Sequence, residues 1–165
     1  GDGRGGTGLA DHTIDVLRDE RSGAFVDGPT GTGEGLLDRA LYPLDTNVEL
    51  AGALLDVGLL ASEPAYVAAA RDALAAFAAA ADRMGVEVAA YATQAARIQA
   101  PTSIRVGTPA GSDLHRAALR LADHEAVVVP DDAGTETGTA RQVVDGDPRG
   151  EAADPESLAS LLTDA

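Results

Sequence analysis

The fold is decided by residues 43–98, which read PLDTNVELAGALLDVGLLASEPAYVAAARDALAAFAAAADRMGVEVAAYATQAARI. Apolar residues recur along this stretch at intervals of three and four, the spacing that places them on one face of a helix. The stretch is broken at Ser62 to Pro64 and again at Gly85. Proline suits the first turn of a helix, and glycine suits a left-handed cap at its end. We therefore predict three consecutive helices with antiparallel neighbours, because the connections are short.

The boundaries of these helices follow from local signals. The first helix is predicted to start near Thr46, with Asp45 or Thr46 as its cap, since Pro43 prevents helix just upstream. The third is predicted from Val86 to Ile98. The second opens at Ser62 and buries a stripe that runs through Val67, Ala70, Leu74, Phe77, Ala81 and Met84.

Charge is the strongest compositional signal. The chain has 27 acidic residues against 12 basic ones, a net charge of −15, and all 12 basic residues are arginine. This balance argues against binding to nucleic acids or anionic membranes. Dispersed acidity without lysine is typical of proteins from salt-accumulating haloarchaea. The absence of cysteine excludes disulfides, thiolate metal sites and thiol catalysis.

The segments before and after residues 43–98 differ in character. Residues 1–8 are rich in glycine and are predicted to be disordered, and residues 31–35 (Gly-Thr-Gly-Glu-Gly) read as a loop. After Pro101 the sequence reads as strand, helix and strand, which predicts a βαβ unit with parallel strands. A third strand is predicted over Ala140–Val144, and a last helix begins after Asp154.

Three residues at the start of the first long helix are the candidate catalytic group: Asp45, Asn47 and Glu49. In helical toroids such helix ends can face a central cavity, where paired carboxylates perform acid–base chemistry. The alternative interpretation is structural: Asp45 caps the helix and Glu49 belongs to a solvated polar stripe. Both interpretations stay open at the level of the sequence.

Other candidate sites carry weaker signals. The connection from Gly107 to Ser112 joins a strand to a helix N-terminus, where an anion can bind, although it also fits an ordinary loop. The three histidines, His12, His115 and His124, do not have metal-ligand spacing. We therefore expect no metal and no cofactor.

The quoted residues resemble a known family. The resemblance rests on Gly23–Pro29, on Leu36–Arg39 continuing through Pro43–Ala51, and on the βαβ segment. The family comprises proteins with an N-terminal thioredoxin-like domain followed by a six-hairpin-glycosidase-like (α/α) toroid, including the spermatogenesis-associated thioredoxin-domain proteins. The resemblance implies a mainly α fold: part of the toroid over residues 9–100, followed by a small α/β appendage over residues 101–165. Cysteines expected in the family's terminal segment are absent here.

The resemblance also carries the expectation for function. We expect a C-terminal, structural segment that is not catalytic by itself, with the remainder of the toroid or an upstream thioredoxin-like domain as its partner. The alternatives are part of a carbohydrate isomerase or epimerase, with a carbohydrate as ligand, and a protein-interaction module. No apolar run reaches membrane-spanning length and no signal peptide is evident. We expect a cytoplasmic location.

Overall fold

The computed structural model describes residues 4–28, 40–83, 85 and 88–163. The chain divides into two compact units, Gly1–Ile98 and Gln99–Ala165. The division predicted from the sequence lies two residues later, between residues 100 and 101. None of the described helices is both long and apolar enough to cross a membrane.

The first unit is helical. Its elements are α1 (Arg4–Leu17), α2 (Leu44–Ala61), α3 (Pro64–Ala75), a 3-10 helix (Ala78–Arg83) and α4 (Val88–Gln99). Helices α2 and α3 form a tight hairpin, whose turn depends on Ser62 in the left-handed conformation. The core is rich in alanine because small side chains let the helices approach closely, and its members are Ala10, Phe25, Val48, Ala51, Leu54, Leu55, Tyr66, Ala69, Ala70, Ala73, Leu74 and Ile98.

Three boundary predictions in this unit are wrong. Helix α1 begins at Arg4, inside the stretch expected to be disordered, while residues 1–3 lie outside the described part. The cap of α2 is Pro43, and no side chain bonds to the helix start in the way predicted for Asp45 or Thr46. Helix α3 ends at Ala75, so Phe77 follows the helix and is only half-buried. Met84, the end of the predicted stripe, lies outside the described residues.

The second unit is a sheet covered by two helices on one face. Its elements are β1 (Thr102–Val106), α5 (Asp113–Leu121), β2 (Val127–Val129), β3 (Ala140–Val144), β4 (Asp147–Ala152) and α6 (Pro155–Thr163). The strand order is β2-β1-β3-β4. Strands β1 and β2 run parallel, with Ile104 opposite Val128, which confirms the predicted pairing of the βαβ unit. The other two pairings are antiparallel.

The core of the second unit lies between the sheet and its two helices. It is formed by Ile104, Val106, Leu114, Ala117, Ala118, Ala140, Ala152 and Leu158. The predicted cap of α6 is confirmed, because Asp154 Oδ1 accepts the backbone N–H groups of Glu156 and Ser157, both at 2.9 Å. Strand β4 was not expected from the sequence. Its signal is the Asp145–Gly146 pair, where both residues have positive φ (48° and 86°), as a two-residue hairpin turn requires.

The predicted fold class is therefore wrong. The family resemblance predicts a mainly α chain made of partial (α/α) toroid hairpins and a small α/β appendage. The described residues instead form an α/β structure with six α-helices and a four-stranded mixed sheet. The first unit contains one α2–α3 hairpin with α1 against α2, where a toroid segment would continue as a series of hairpins. The second unit has a core of its own and is more than an appendage.

Candidate functional site

Asn47, one of the predicted catalytic residues, is fully buried and bonded to the backbone. Its side-chain oxygen accepts the N–H of Phe25 at 2.7 Å, and its amide donates to the carbonyl of Phe25 at 2.9 Å. The same amide donates to the carbonyl of Pro43 at 2.8 Å. These bonds fasten the extended segment around Phe25 to the start of α2. The side chain of Asn47 thus serves to pair buried backbone groups with hydrogen bonds.

The other two predicted catalytic residues face away from Asn47. Successive helical residues are about 100° apart, so Asp45 and Glu49 lie on nearly one face of α2 and Asn47 lies on the opposite face. Both carboxylates are exposed. The structure therefore does not bring the three side chains together, and the carboxylates occupy one side of one helix. Their assignment as a catalytic group stays a prediction without geometric support.

A second group of polar residues, which was not predicted from the sequence, surrounds the carboxylate of Asp19. Its Oδ1 accepts the backbone N–H of Arg21 at 3.0 Å. Its Oδ2 accepts the hydroxyl of Ser22 at 2.8 Å and the hydroxyl of Tyr42 at 3.0 Å. The chain closes around this carboxylate because the N–H of Asp19 also donates to the carbonyl of Ala24 at 2.9 Å. The result is a turn built on its own aspartate.

The turn ends at Gly23, where only glycine fits. Its φ is +78°, and a Cβ added there would lie 2.8 Å from the Cβ of Asp72 on α3. The turn is thus pressed against α3. The guanidinium of Arg18 adds an ion pair to Asp72 at 2.5 Å. The position of Asp19 is therefore fixed from both sides of the turn.

The Asp19 depression is the open cavity of about 490 Å³ that these residues border. It is lined by Asp19, Arg21, Ser22, Ala24, Tyr42, Ala76 and Phe77. Polar groups come from the turn and from Tyr42, whereas Ala76 and Phe77 directly follow α3 and supply an apolar wall. Two of the chain's five aromatic residues are placed here. Concave sites with apolar walls and a few convergent polar groups are typical of small-molecule binding.

The electrostatics of the depression follow from the hydrogen bonds. The backbone N–H of Arg21, together with the hydroxyls of Ser22 and Tyr42, lowers the pKa of the Asp19 carboxyl. The same hydrogen bond to Asp19 raises the pKa of Tyr42. Asp19 is therefore ionised and Tyr42 neutral over the physiological range. The depression holds a permanent negative charge beside the positive charge of Arg21.

The second unit contains a charged cluster of a different kind around Asp132. Its Oδ1 accepts from Arg105 at 3.1 Å, and its Oδ2 accepts from Thr135 at 2.7 Å. Arg141 lies 3.7 Å from the same carboxylate. Burial raises the pKa of Asp132, but the bonds from Thr135 and Arg105 and the two arginine charges outweigh burial, so the pKa lies below its ordinary value. The Asp132 side chain is 11% exposed. This cluster fastens the loop after β2, and little of the Asp132 side chain is accessible to a ligand.

The other candidates from the sequence are occupied by the chain itself. In the Gly107–Ser112 connection, the N–H of Gly111 donates to Nδ1 of His115 at 3.0 Å, and the hydroxyl of Ser112 caps α5. The N–H groups of Gly111 and His115, which could have bound an anion, are thereby used. His124 is exposed beside Asp123, and no group of three potential metal ligands occurs among the described residues. The loop at residues 31–35 lies outside the described part of the chain.

No family model, no curated protein and no solved structure matches this chain. The resemblance to the thioredoxin-domain family therefore stays a prediction. The candidate site rests on the geometry alone. A signal for it was present in the sequence: Asp19 and Ser22 followed by Gly23 form a turn pattern, and aromatic residues are few. The cavity itself could not be predicted from the sequence, because Asp19 and Phe77, which both line it, are far apart along the chain.

Proposed function

We propose that this chain is a non-catalytic binding module and that the Asp19 depression holds a small molecule. The observation that carries the proposal is the state of the Asp19 carboxylate, which accepts three hydrogen bonds from its own chain and has a lowered pKa. A general base works best when its pKa is near the operating pH. A carboxylate with a lowered pKa is a weak proton acceptor but a well-fixed negative charge, which suits binding.

The setting that we propose for this module is a cytoplasmic protein of the thioredoxin-domain type, with an upstream thioredoxin-like domain as its partner. The resemblance carried by Gly23–Pro29 and Pro43–Ala51 supports the family, and the acidic composition supports the cytoplasmic location. The Asp19 turn begins just before the first of these segments, and Tyr42 immediately precedes the second. The residues that carry the resemblance therefore border the proposed site.

The alternative function that the family resemblance implies is part of a carbohydrate isomerase or epimerase. Such chemistry requires acid and base groups on opposite sides of a substrate at a fixed separation. Asp45 and Glu49 lie on one helix face, and the two Asp19 oxygens are held by the chain's own donors. In the part of the chain that the structure describes, no arrangement favours turnover of a sugar.

The proposal is tested by two measurements on the full chain. In the first, backbone NMR signals are followed while a library of small polar molecules is added; we expect ligand-dependent shifts that cluster at residues 19–24, 42 and 76–77. In the second, the chain is incubated with aldoses, ketoses and disaccharides, and we expect no turnover. Turnover that disappears in Glu49→Gln would overturn the proposal and support the enzyme. Ligand-dependent shifts confined to the region of Asp45 and Glu49 would also overturn the proposal, because they would place the binding site at the start of α2.

A further inference from the structure

The Asp19 depression is lined by two residues of opposite charge. These are Asp19 and Arg21, and both belong to the same turn. In the described part of the chain, the guanidinium of Arg21 forms no hydrogen bond or ion pair, and its residue is exposed. Its backbone N–H, not its side chain, bonds to Asp19. The guanidinium is therefore available to a ligand.

Asp19 also retains capacity for a ligand. A carboxylate offers about four acceptor sites. Three are used, by the N–H of Arg21 on Oδ1 and by the hydroxyls of Ser22 and Tyr42 on Oδ2. The remaining site is on Oδ1, which can accept one further donor. A ligand that provides a positively charged donor would gain a charge-assisted hydrogen bond there.

The charge pattern selects among ligand classes. A simple anion suits Arg21 but meets the negative charge of Asp19 and a chain with a net charge of −15. A simple cation suits Asp19 but meets Arg21. A neutral sugar leaves both charges without a charged partner. A zwitterion with its two charges a few bonds apart satisfies both groups at once.

We propose that the depression binds a free α-amino acid with a large apolar side chain, which deepens the proposed binding function and rests on it. The ammonium group of the ligand donates to Oδ1 of Asp19, and the carboxylate of the ligand accepts a bidentate pair of hydrogen bonds from the guanidinium of Arg21. The side chain lies against Phe77, Ala76 and Ala24, where its apolar surface leaves water. The apolar wall favours leucine or phenylalanine over glycine or alanine, because a small side chain would leave that wall exposed to water.

The experiment measures Kd by calorimetry for L-leucine and L-phenylalanine against three matched analogues. Leucinamide lacks the carboxylate, N-acetyl-leucine lacks the ammonium, and glucose lacks both charges. We expect leucine and phenylalanine to bind, and each analogue to bind more weakly by about tenfold or more, as the loss of a charge-assisted bond implies. Backbone NMR shifts then locate the ligand at residues 19–24, 42 and 76–77.

Variants connect each charge to its partner. Arg21→Gln should weaken leucine binding by about tenfold or more but should not weaken leucinamide binding, because leucinamide has no carboxylate to lose and its positive charge is repelled by Arg21. Asp19→Asn keeps an oxygen for the turn and removes the charge, so it should weaken leucine binding but should not weaken the binding of N-acetyl-leucine, an anion that the Asp19 charge repels. Glu20→Gln, an exposed neighbour, is the matched control and should bind leucine normally.

The outcomes distinguish failure of the amino-acid assignment from failure of the proposed binding function. If glucose or a simple ion shifts the same residues and the amino acids do not, the amino-acid assignment is overturned while the binding module stands. If leucine binds equally well to wild type and to Arg21→Gln, the assignment is also overturned. If no molecule in the library or the series shifts residues 19–24, 42 and 76–77, both proposals are wrong.

Discussion

The two units fasten their irregular segments in different ways. In the helical unit, the neutral amide of Asn47 holds the backbone of Phe25 with one acceptor and one donor, and it is completely buried. In the sheet unit, the carboxylate of Asp132 holds Arg105 and Thr135 and lies near Arg141. The amide pairs with a main-chain segment, which carries a donor and an acceptor but no charge. The carboxylate pairs with arginines, which carry donors only.

This difference teaches which environment each residue needs. An uncharged partner can be buried completely at little electrostatic cost, provided that every polar atom is bonded. A charge can be buried only beside opposite charges, and Asp132 keeps contact with two arginines. The first attachment should therefore be insensitive to pH and the second should depend on it. Three predictions test this comparison.

The largest effect is expected for Asn47→Leu. The change keeps the volume but removes the partners of the N–H and carbonyl of Phe25, and each buried group left unpaired costs about 1–3 kcal/mol. We expect the free energy of unfolding to fall by about 2–6 kcal/mol in urea titrations. The control is Glu49→Gln on the exposed face of the same helix, which should change stability by less than about 0.5 kcal/mol. Equal stability of the two variants would contradict the role given to Asn47.

A smaller effect is expected for Asp132→Asn. The amide is nearly the same shape but removes the charge that Arg105 and Arg141 face, and a hydrogen bond to a charged group contributes about 1.5–3 kcal/mol. The free energy of unfolding should fall by that amount near neutral pH. Glu136→Gln in the same loop is the matched control, since its side chain is exposed. A variant as stable as wild type would show that the cluster does not hold the loop.

The smallest and most selective effect concerns acid. The pKa of Asp132 in the folded chain lies below its ordinary value of 3.8. As pH falls through this region, the unfolded chain takes up the proton first, so the stability from Asp132 is present above about pH 4 and is lost as pH falls through the lower folded pKa. The stability difference between wild type and Asp132→Asn should therefore shrink on going from neutral pH to about pH 3. The difference between wild type and Asn47→Leu should not shrink over the same range, because an amide does not titrate. Acid titrations of wild type, Asp132→Asn and Asn47→Leu measure both differences in stability. If the two differences change with pH in the same way, the proposed contrast between the amide and the carboxylate is wrong.

Local features of the sequence predicted much of the secondary structure. The parallel pairing of β1 and β2 followed from a strand, helix and strand within a short span, because such a connection places the strands side by side. The cap at Asp154 followed from its position before Pro155. In both cases the physical cause lies within a few turns of chain. Periodicity failed at Phe77, because an alanine-rich stretch continues the helical pattern past the point where the hydrogen bonding changes.

The sequence by itself determined the acidity, the absence of thiol chemistry, the helical first part and the βαβ unit, since each depends on composition or on neighbours along the chain. Only the tertiary structure decided what Asn47 and Asp19 do. Asn47 meets Phe25 across 22 residues, and the depression joins Asp19 to Tyr42 and Phe77 from three separate segments. Whether a polar side chain is a buried partner or part of an open site depends on which distant surfaces close over it. Periodicity and spacing along the chain do not contain that information.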